Sequence, residues 1–257
     1  MSFSQFTEQD YELIRQSYAQ LKAAAEKRCA NQQELDVVQK AFDFANEAHK
    51  NVRRRSGGPY IIHPIEVAKI VVSDIGLGYK SIAAALLHDV VEDTDYTVDD
   101  IRKLFGDKIA SLVDGLTKIK NVLDNEDRSK KLGDSNARSL QAENFKRILL
   151  TLNDDVRVVL IKLADRLHNM RTMAYQSPEK QRVKSLETME IYAPIAHRLG
   201  MQRAKWELED LSLQYLDPTG YREITHTLEQ RMPELESFMS SVEEKIQKRL
   251  DLENVNA

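Results

Sequence analysis

Two histidines and two aspartates are the side chains in this sequence best suited to binding a metal ion. They are His63, the adjacent pair His88-Asp89, and Asp165. Imidazole nitrogens and carboxylate oxygens suit borderline divalent ions such as manganese, iron or zinc. His88-Asp89 and Asp165 each end an apolar run, so we expect their side chains to be partly buried. A buried carboxylate is costly unless something neutralises it, and a cation held by several of these groups would do so.

Other polar side chains fall on the same helix faces as these candidates. Glu92 and Asp93 each follow a member of the His88-Asp89 pair by four residues, and positions four apart share a helix face. A second face carries polar residues at i, i+3, i+4 and i+7, namely Asp165, His168, Asn169 and Thr172. Each feature has a plain alternative, because a buried His or Asp is often a hydrogen-bonded structural residue and acidic groups near a helix end are often solvated. From residue types and spacing alone, a metal site and a structural role remain equal alternatives.

The elements that must position these residues are helices. Gly and Pro are few, with 9 and 6 residues, and apolar residues recur at helical spacing, so the predicted class is all-α. Pro64 suits the first position of a helix, which would make His63 its N-cap. A polar loop is predicted from about Lys120 to Ala137. The other predicted helices run approximately over Glu8–Arg28, Gln32–Lys50, His63–Asp74, Lys80–Asp93, Thr97–Phe105, Lys108–Ile119, Ser139–Leu152, Asp154–Met173, a stretch from Ser177, Met201–Tyr215 and Tyr221–Asp251.

The composition is that of a globular protein that can bury a core. Of 257 residues, 42% are hydrophobic and 30% are charged, and the net charge is −4. Such a mixed charge argues against direct nucleic-acid binding, which usually needs a basic excess. The single cysteine, Cys29, forms no intrachain disulfide and fits a reducing compartment. The sequence shows neither a membrane span nor a signal peptide at its start, so we expect a cytoplasmic protein.

A family resemblance adds to this interpretation. The pattern His63-Pro, His88-Asp89 and Asp165 resembles the H…HD…D signature of HD phosphohydrolases. Three longer blocks resemble the hydrolase domain of the RelA/SpoT family: RRSGGPYIIHPIEVA from Arg54, LLHDVVEDT from Leu86 and KLADRLHNMRT from Lys162. A fourth block, which begins with YAPIAHRLG at Tyr192, resembles the helical segment that follows in the long, bifunctional members. The resemblance covers about residues 35–216.

The resemblance implies an HD-domain helical bundle of about ten helices. Residues 1–199 would form the hydrolase domain. Residues 200–257 would form a helical segment leading toward a synthetase domain, which in the long members is followed by regulatory domains. No synthetase motif is found in this sequence. Because the segment from Tyr192 to Leu211 resembles that of the long members, we expect a fragment of a bifunctional enzyme, with a natural hydrolase-only form as the alternative.

The resemblance also implies a role for each site residue. One Mn²⁺ ion would be held by His63, His88, Asp89 and Asp165. The attacking water would be positioned and activated by Glu92 and Asp93. The remaining candidates would bind the nucleotide, with Arg54 stacked on the guanine: Arg54, Arg55, Ser56, Asn169, Lys162, Arg166 and Arg171. For Lys162 an outward, solvated side chain is the alternative, and His168 is expected to pack or to support a ligand rather than bind the metal.

The activity implied is hydrolysis of the 3′-pyrophosphate of ppGpp and pppGpp, the alarmones of the stringent response, to GDP or GTP plus pyrophosphate. Gly58 departs from the family, which commonly has a polar residue there, but the proposed ligands are all present. Two rival functions stay open. One is an HD phosphohydrolase acting on another nucleotide, such as a deoxynucleotide, and the other is a nucleotide-binding module without catalysis.

Overall fold

The structure is a computed structural model that describes residues 2–3, 5–130 and 155–252. Nearly all of the described chain is helical, which confirms the predicted all-α class. One short antiparallel pair joins β1 to β2 near the N-terminus. The elements are β1 (Ser2–Phe3), α1 (Glu8–Glu26), α2 (Gln32–Ala48), β2 (Val52–Arg53), α3 (Ile62–Lys69), α4 (Tyr79–Leu87), α5 (Val90–Asp93), α6 (Val98–Phe105), α7 (Asp107–Lys130), α8 (Val156–Arg171), α9 (Pro178–Glu187), α10 (Ala193–Arg198), α11 (Gln202–Leu216) and α12 (Pro218–Leu252).

Helix α4 lies at the centre of the bundle. Every residue from Ser81 to Leu87 is buried, and the helix packs against α2, α3 and α7. A helix that is apolar on all sides is stable only inside a core. Helix α8 crosses close to α7, where Gly115 faces Val158: a Cβ at Gly115 would lie 2.9 Å from a methyl carbon of Val158. The lack of a side chain there allows the close approach that places α8 beside α3 and α4.

Local sequence signals explain several helix ends. The Thr97 side chain accepts from the amide of Asp100, whose carboxylate accepts from the Thr97 amide, so the predicted capping box is confirmed. Ser177 caps α9, with Pro178 at its first position. Helix α3 begins at Ile62, so the prediction of His63 as an N-cap is wrong and His63 lies inside the first turn.

Two predicted elements are wrong in the structure. Residues 120–130 continue α7 to Lys130, although a loop was predicted there. Neither Gly nor Pro occurs between Gly115 and Gly133, and a polar segment without such breakers can remain helical. The predicted helix Lys80–Asp93 is also interrupted, because α4 ends at Leu87 and α5 begins at Val90. The rest of the predicted loop and the predicted helix Ser139–Leu152 lie outside the described residues.

None of the helices among the described residues is long and apolar enough to cross a bilayer.

Candidate metal centre

The two histidines and two aspartates meet at one point in the bundle. His63 comes from α3, the His88-Asp89 pair from the turn between α4 and α5, and Asp165 from α8. His63 Nε2 lies 3.2 Å from Asp165 Oδ1 and 3.6 Å from Asp89 Oδ2. His88 Nε2 lies 3.2 Å from Asp89 Oδ2 and 3.8 Å from Asp165 Oδ1. All four side chains are buried, and one ligand atom each of His63, His88 and Asp165 lies within 4.8 Å of the other two.

The turn between α4 and α5 orients His88. Its Nδ1 lies 2.7 Å from the carbonyl oxygen of Ala85. If α4 continued, that oxygen would instead accept a hydrogen bond from the backbone amide of Asp89. Because a carbonyl only accepts, Nδ1 carries a proton, and in the neutral ring that binds a metal Nε2 is then the free nitrogen. Within the described part of the chain, His88 Nε2 is buried and has no hydrogen-bond partner. A bare nitrogen beside two carboxylate oxygens is a donor set that a divalent cation fits.

The charge states of the site also favour a cation. Burial raises the pKa of Asp165, but Lys162 and His63 outweigh it and hold that pKa well below its usual value. Burial likewise raises the pKa of Asp89, and the neighbouring His88 and His63 outweigh it to give a pKa of about 2. Burial lowers the pKa of His63. Ionised carboxylates and neutral imidazoles are the forms in which these groups bind metals.

Tyr60 holds the acidic side chains in place. Its hydroxyl contacts Asp89 Oδ2 closely and lies 3.0 Å from Asp93 Oδ2. Burial, with the neighbouring Asp89, raises the pKa of Tyr60, so the hydroxyl keeps its proton and can donate. Its ring stacks on His49, with centroids 4.7 Å apart and planes 21° apart. Sequence reasoning assigned no role to Tyr60, although the residue stands in the block RRSGGPY.

The two residues expected to act on water lie beside the centre. Asp93 is exposed and lines the cavity that opens from the four side chains. Glu92 is half-buried and is not among the residues that line the cavity; burial lowers the pKa of Lys162, and Asp165 together with Glu92 raises it. Both belong to α5, one turn beyond the His88-Asp89 pair.

Arg54 and Asn169 form a connected pair next to the centre. Arg54 donates to Asn169 Oδ1 over 3.0 Å, and Asn169 Nδ2 donates to Asp165 Oδ1 over 2.6 Å. Arg54 Nη1 also lies 3.4 Å from His168 Nδ1. Both Arg54 and Asn169 line the cavity. Arg55, predicted beside them, is exposed on the turn that follows β2 and is not among the cavity-lining residues.

Ser56 shares the exposed turn with Arg55 and likewise does not line the cavity. The structure therefore brings only the first residue of the predicted Arg54-Arg55-Ser56 group to the site. The tip of this turn contains Gly57, whose φ of +89° needs a glycine.

Lys162 points inward rather than out to solvent. Its Nζ lies 2.8 Å from Asp165 Oδ2, and only 13% of the side chain is exposed. Arg166 is buried in the cavity wall, where it donates to Glu187 over 2.7 Å and lies 4.1 Å above the ring of Tyr192. Both positively charged side chains line the cavity.

The structure does not place Arg171 at this site. It donates from two nitrogens to Glu207 of α11, over 2.5 and 2.8 Å. Arg171 follows Asp165 by six residues on α8, which is about 240° around a helix. Its prediction as a nucleotide ligand is therefore wrong on geometry, because its side chain leaves the helix on another face.

The cavity beside the centre has a volume of about 340 Å³. Its far wall comes from α9, which contributes Lys180, Lys184 and Glu187. Lys184 Nζ lies 2.8 Å from Glu187 Oε2. Sequence reasoning did not single out these residues. Lys180 and Lys184 are four residues apart, and this spacing indicates a basic helix face. The spacing does not indicate that this face borders the cavity.

Comparison with known proteins gives consistent matches. The HD domain family matches residues 41–202. A Synechocystis protein named as a probable guanosine-3′,5′-bis(diphosphate) 3′-pyrophosphohydrolase is 46% identical over 85% of this chain and 27% of its own length. A Mycobacterium leprae protein named as a probable GTP pyrophosphokinase is 43% identical over 87% of this chain and 27% of its own. An Aquifex aeolicus protein named as a guanosine-3′,5′-bis(diphosphate) 3′-pyrophosphohydrolase is 39% identical over 88% of this chain and 30% of its own. The chain thus spans less than a third of the length of these relatives.

Proposed function

The chain belongs to the HD-domain family, and within it to the RelA/SpoT group, and we propose that it hydrolyses the 3′-pyrophosphate of ppGpp and pppGpp with one bound Mn²⁺ ion. The products would be GDP or GTP and pyrophosphate. The relatives named as 3′-pyrophosphohydrolases support the substrate. The observation that carries the proposal is the buried set of two imidazoles and two carboxylates, in which His88 Nε2 has no hydrogen-bond partner in the described chain. The set borders a cavity whose lining includes several positively charged side chains.

His63, His88, Asp89 and Asp165 would hold the ion in this proposal. When bound, the ion would polarise phosphoryl oxygens and lower the pKa of a water molecule. Imidazole and carboxylate ligands suit Mn²⁺, Fe²⁺ and Zn²⁺ alike, so the choice of manganese rests on the family resemblance.

The acidic residues of α5 would handle the proton of the attacking water. Asp93 lies at the cavity surface and is fixed by the Tyr60 hydroxyl, and Glu92 lies next to Lys162. A carboxylate in this position can accept a proton, which typically contributes about 10²–10⁴-fold to a rate.

The positive side chains would bind the nucleotide. The Arg54 guanidinium, already half-buried and held by Asn169, can stack on a guanine ring. The cavity-lining cations Lys162, Arg166 and Lys184 would offset the charge of the phosphates and of the leaving pyrophosphate.

The test is product analysis with several substrates. Purified chain is incubated with ppGpp or dGTP, with Mn²⁺ or with a chelator, and the products are separated. We expect GDP and pyrophosphate in equal amounts from ppGpp, only when Mn²⁺ is present. Release of triphosphate from dGTP, without turnover of ppGpp, would instead identify a deoxynucleotide hydrolase, and ppGpp binding without turnover would identify a silent binding module.

A matched pair of variants ties the activity to the site. Asp89→Ala removes a proposed ligand and should abolish both Mn²⁺ binding and turnover. Asp114→Ala removes an aspartate of α7 that pairs with Lys118 and does not line the cavity, and it should behave like the unmodified chain. Normal manganese-dependent turnover by Asp89→Ala contradicts the assignment.

A further inference from the structure

Helix α12 carries a stripe of apolar side chains that the rest of the described chain leaves exposed. The helix runs from Pro218 to Leu252, and among the described elements it packs mainly against α11. The following residues of α12 are each between 44% and 63% exposed: Ile224, Leu228, Met232, Leu235, Phe238, Met239 and Ile246. A contiguous apolar patch of this kind on a protein surface marks an interaction site.

The stripe follows the heptad repeat of a coiled coil. Alternate steps of four and three residues from Tyr221 give eight positions, which we call the seam: Tyr221, Thr225, Leu228, Met232, Leu235, Met239, Val242 and Ile246. Seven of the eight are hydrophobic, and Thr225 is the exception. A strict seven-residue repeat drifts around a straight helix, so a partner helix must wind around α12 to keep contact along the seam.

The outer face of α12 is polar, and several of its side chains pair within the helix. Glu244 pairs with Lys248 over 2.7 Å, and Gln247 donates to Asp251 over 2.8 Å. Pro233 also lies inside the helix, at an outer heptad position. A proline ring pushes away the carbonyl one turn before it, so the helix bends away from the proline and toward the side of the seam. The seam itself therefore contains no helix-breaking residue.

Charged residues beside the seam indicate which partner fits it. One flank of the seam carries Glu229, Glu236 and Glu243, and the other flank carries Arg231 and Lys245. In a parallel pair of identical helices, each flank meets the opposite flank of the other copy, so Arg231 of one copy lies opposite Glu236 of the other. An antiparallel pair would place the glutamate flanks against each other, and like charges in contact are unfavourable.

We infer that the seam of α12 binds the same seam of a second copy of this chain, as a parallel two-stranded coiled coil. Leu228 and Leu235 occupy one alternating set of seam positions and Ile246 the other, an arrangement that favours two strands. The 35 residues of α12 extend over about 52 Å and the 15 residues of α11 over about 22 Å, so much of the seam lies beyond α11. The seam includes no residue of the metal centre, so this inference does not rest on the proposed function.

Sedimentation velocity of the full chain, over a range of concentrations, tests whether the pair forms. We expect a species of twice the chain mass that dissociates on dilution. Leu235→Glu places an unpaired charge in the seam and should raise the dimer Kd by about 10²–10³-fold. Ser237→Glu adds the same charge on the outer face and should leave the Kd nearly unchanged. Because Leu235 is 48% exposed in the single chain, both variants should fold, with the same circular dichroism spectrum.

A disulfide tests the direction of the pair. In a parallel pair, each seam residue faces the same residue of the other copy, so Val242→Cys should form an interchain disulfide under mild oxidation. Val242 lies near one end of the seam, so in an antiparallel pair it would face the other end of the partner helix. Lys248→Cys, on the outer face, is the control and should not cross-link. Both variants carry Cys29→Ala, which removes the single native cysteine.

Each outcome decides for or against the inference. A concentration-dependent dimer that Leu235→Glu dissociates and that Val242→Cys cross-links supports it. A monomer at every concentration would overturn it and would leave the seam to another partner, such as a further segment of a longer protein. A dimer that Leu235→Glu does not weaken would place the interface elsewhere. A dimer lost in Leu235→Glu but not cross-linked by Val242→Cys would exclude the parallel arrangement, and a species larger than a dimer would exclude two strands.

Discussion

Binding of a divalent cation should stabilise this fold, and the size of the effect can be worked out from the site. The centre places the buried His88 Nε2, which has no hydrogen-bond partner among the described residues, 3.2 Å from one carboxylate oxygen and 3.8 Å from another. An ion bound between these atoms would make favourable contacts with all of them in the folded state only. The perturbation is therefore simple: the chain is unfolded by heat in chelator and then in increasing Mn²⁺.

The expected magnitude follows from linkage. A ligand that binds only the folded state contributes about 2.7 kcal/mol when its free concentration is one hundred times its Kd. For a chain of about this size, each kcal/mol raises Tm by about 2–4 °C, so Tm should rise by roughly 5–11 °C. The rise should continue with the logarithm of the Mn²⁺ concentration, because the binding free energy grows in that way.

Asp89→Asn tests whether the stabilisation comes from this site. Asparagine keeps the size of the side chain and an oxygen that can accept from Tyr60, but it removes the charge that a cation needs. We expect the manganese-dependent rise in Tm to disappear, whereas Asp114→Asn on α7 should keep it. The assay is circular dichroism at a fixed scan rate. The reasoning is refuted if the unmodified chain shows no dependence on Mn²⁺, or if Asp89→Asn keeps the full rise.

Three further predictions address water activation, nucleotide binding and pH. Glu92→Gln should keep the Mn²⁺-dependent Tm rise but lower kcat by about 10²–10⁴-fold; a normal kcat would remove Glu92 from the mechanism. Arg54→Ala should raise KM for ppGpp by about tenfold through loss of stacking, whereas exposed Arg55→Ala should leave KM nearly unchanged; equal effects in steady-state kinetics would contradict the placement of Arg54. Burial raises the pKa of Glu187, but the neighbouring Arg166 outweighs burial and lowers that pKa below its usual value. The ion pair between Glu187 and Arg166 therefore stabilises the fold at neutral pH, and this contribution is lost as the pH falls through the lowered pKa. Glu187→Gln should cost about 3–5 kcal/mol at pH 7 and less in acid, as measured by urea unfolding; a cost that does not change with pH would be inconsistent with an ionised pair.

The sequence identified the four candidate ligands, but it did not predict what surrounds them. His63, His88, Asp89 and Asp165 were found from residue type, from position at the end of apolar runs and from family blocks. That they meet depends on packing between α3, α4 and α8, which are far apart in sequence. Spacing within one helix does not show which helices pack together. Residue types alone therefore could not decide between a metal site and a structural role.

Some errors could have been avoided with the sequence alone. Arg171 was grouped with Asp165 because both stand in the block KLADRLHNMRT, yet six residues along a helix lead to a different face. The same count correctly put His168 and Asn169 on the face of Asp165. Tyr60 is a different case, because its link to Asp89 crosses from one segment to another and only the folded chain shows it.

Helix α4, which ends just before His88, shows why the site can tolerate several charged groups in a buried place. Residues Ser81–Leu87 are all buried, so packing of apolar side chains, not the polar groups, fixes the axis of α4 and the position of its last turn. The Ala85 carbonyl then sets the ring of His88, and the turn places Asp89 under the Tyr60 hydroxyl. Each of these polar groups is held by a hydrogen bond that does not involve an ion, so the side chains are positioned before an ion binds. A site formed in this way would lose little conformational entropy on binding, and under the proposed function this preorganisation would favour tight binding of one cation by two imidazoles and two carboxylates.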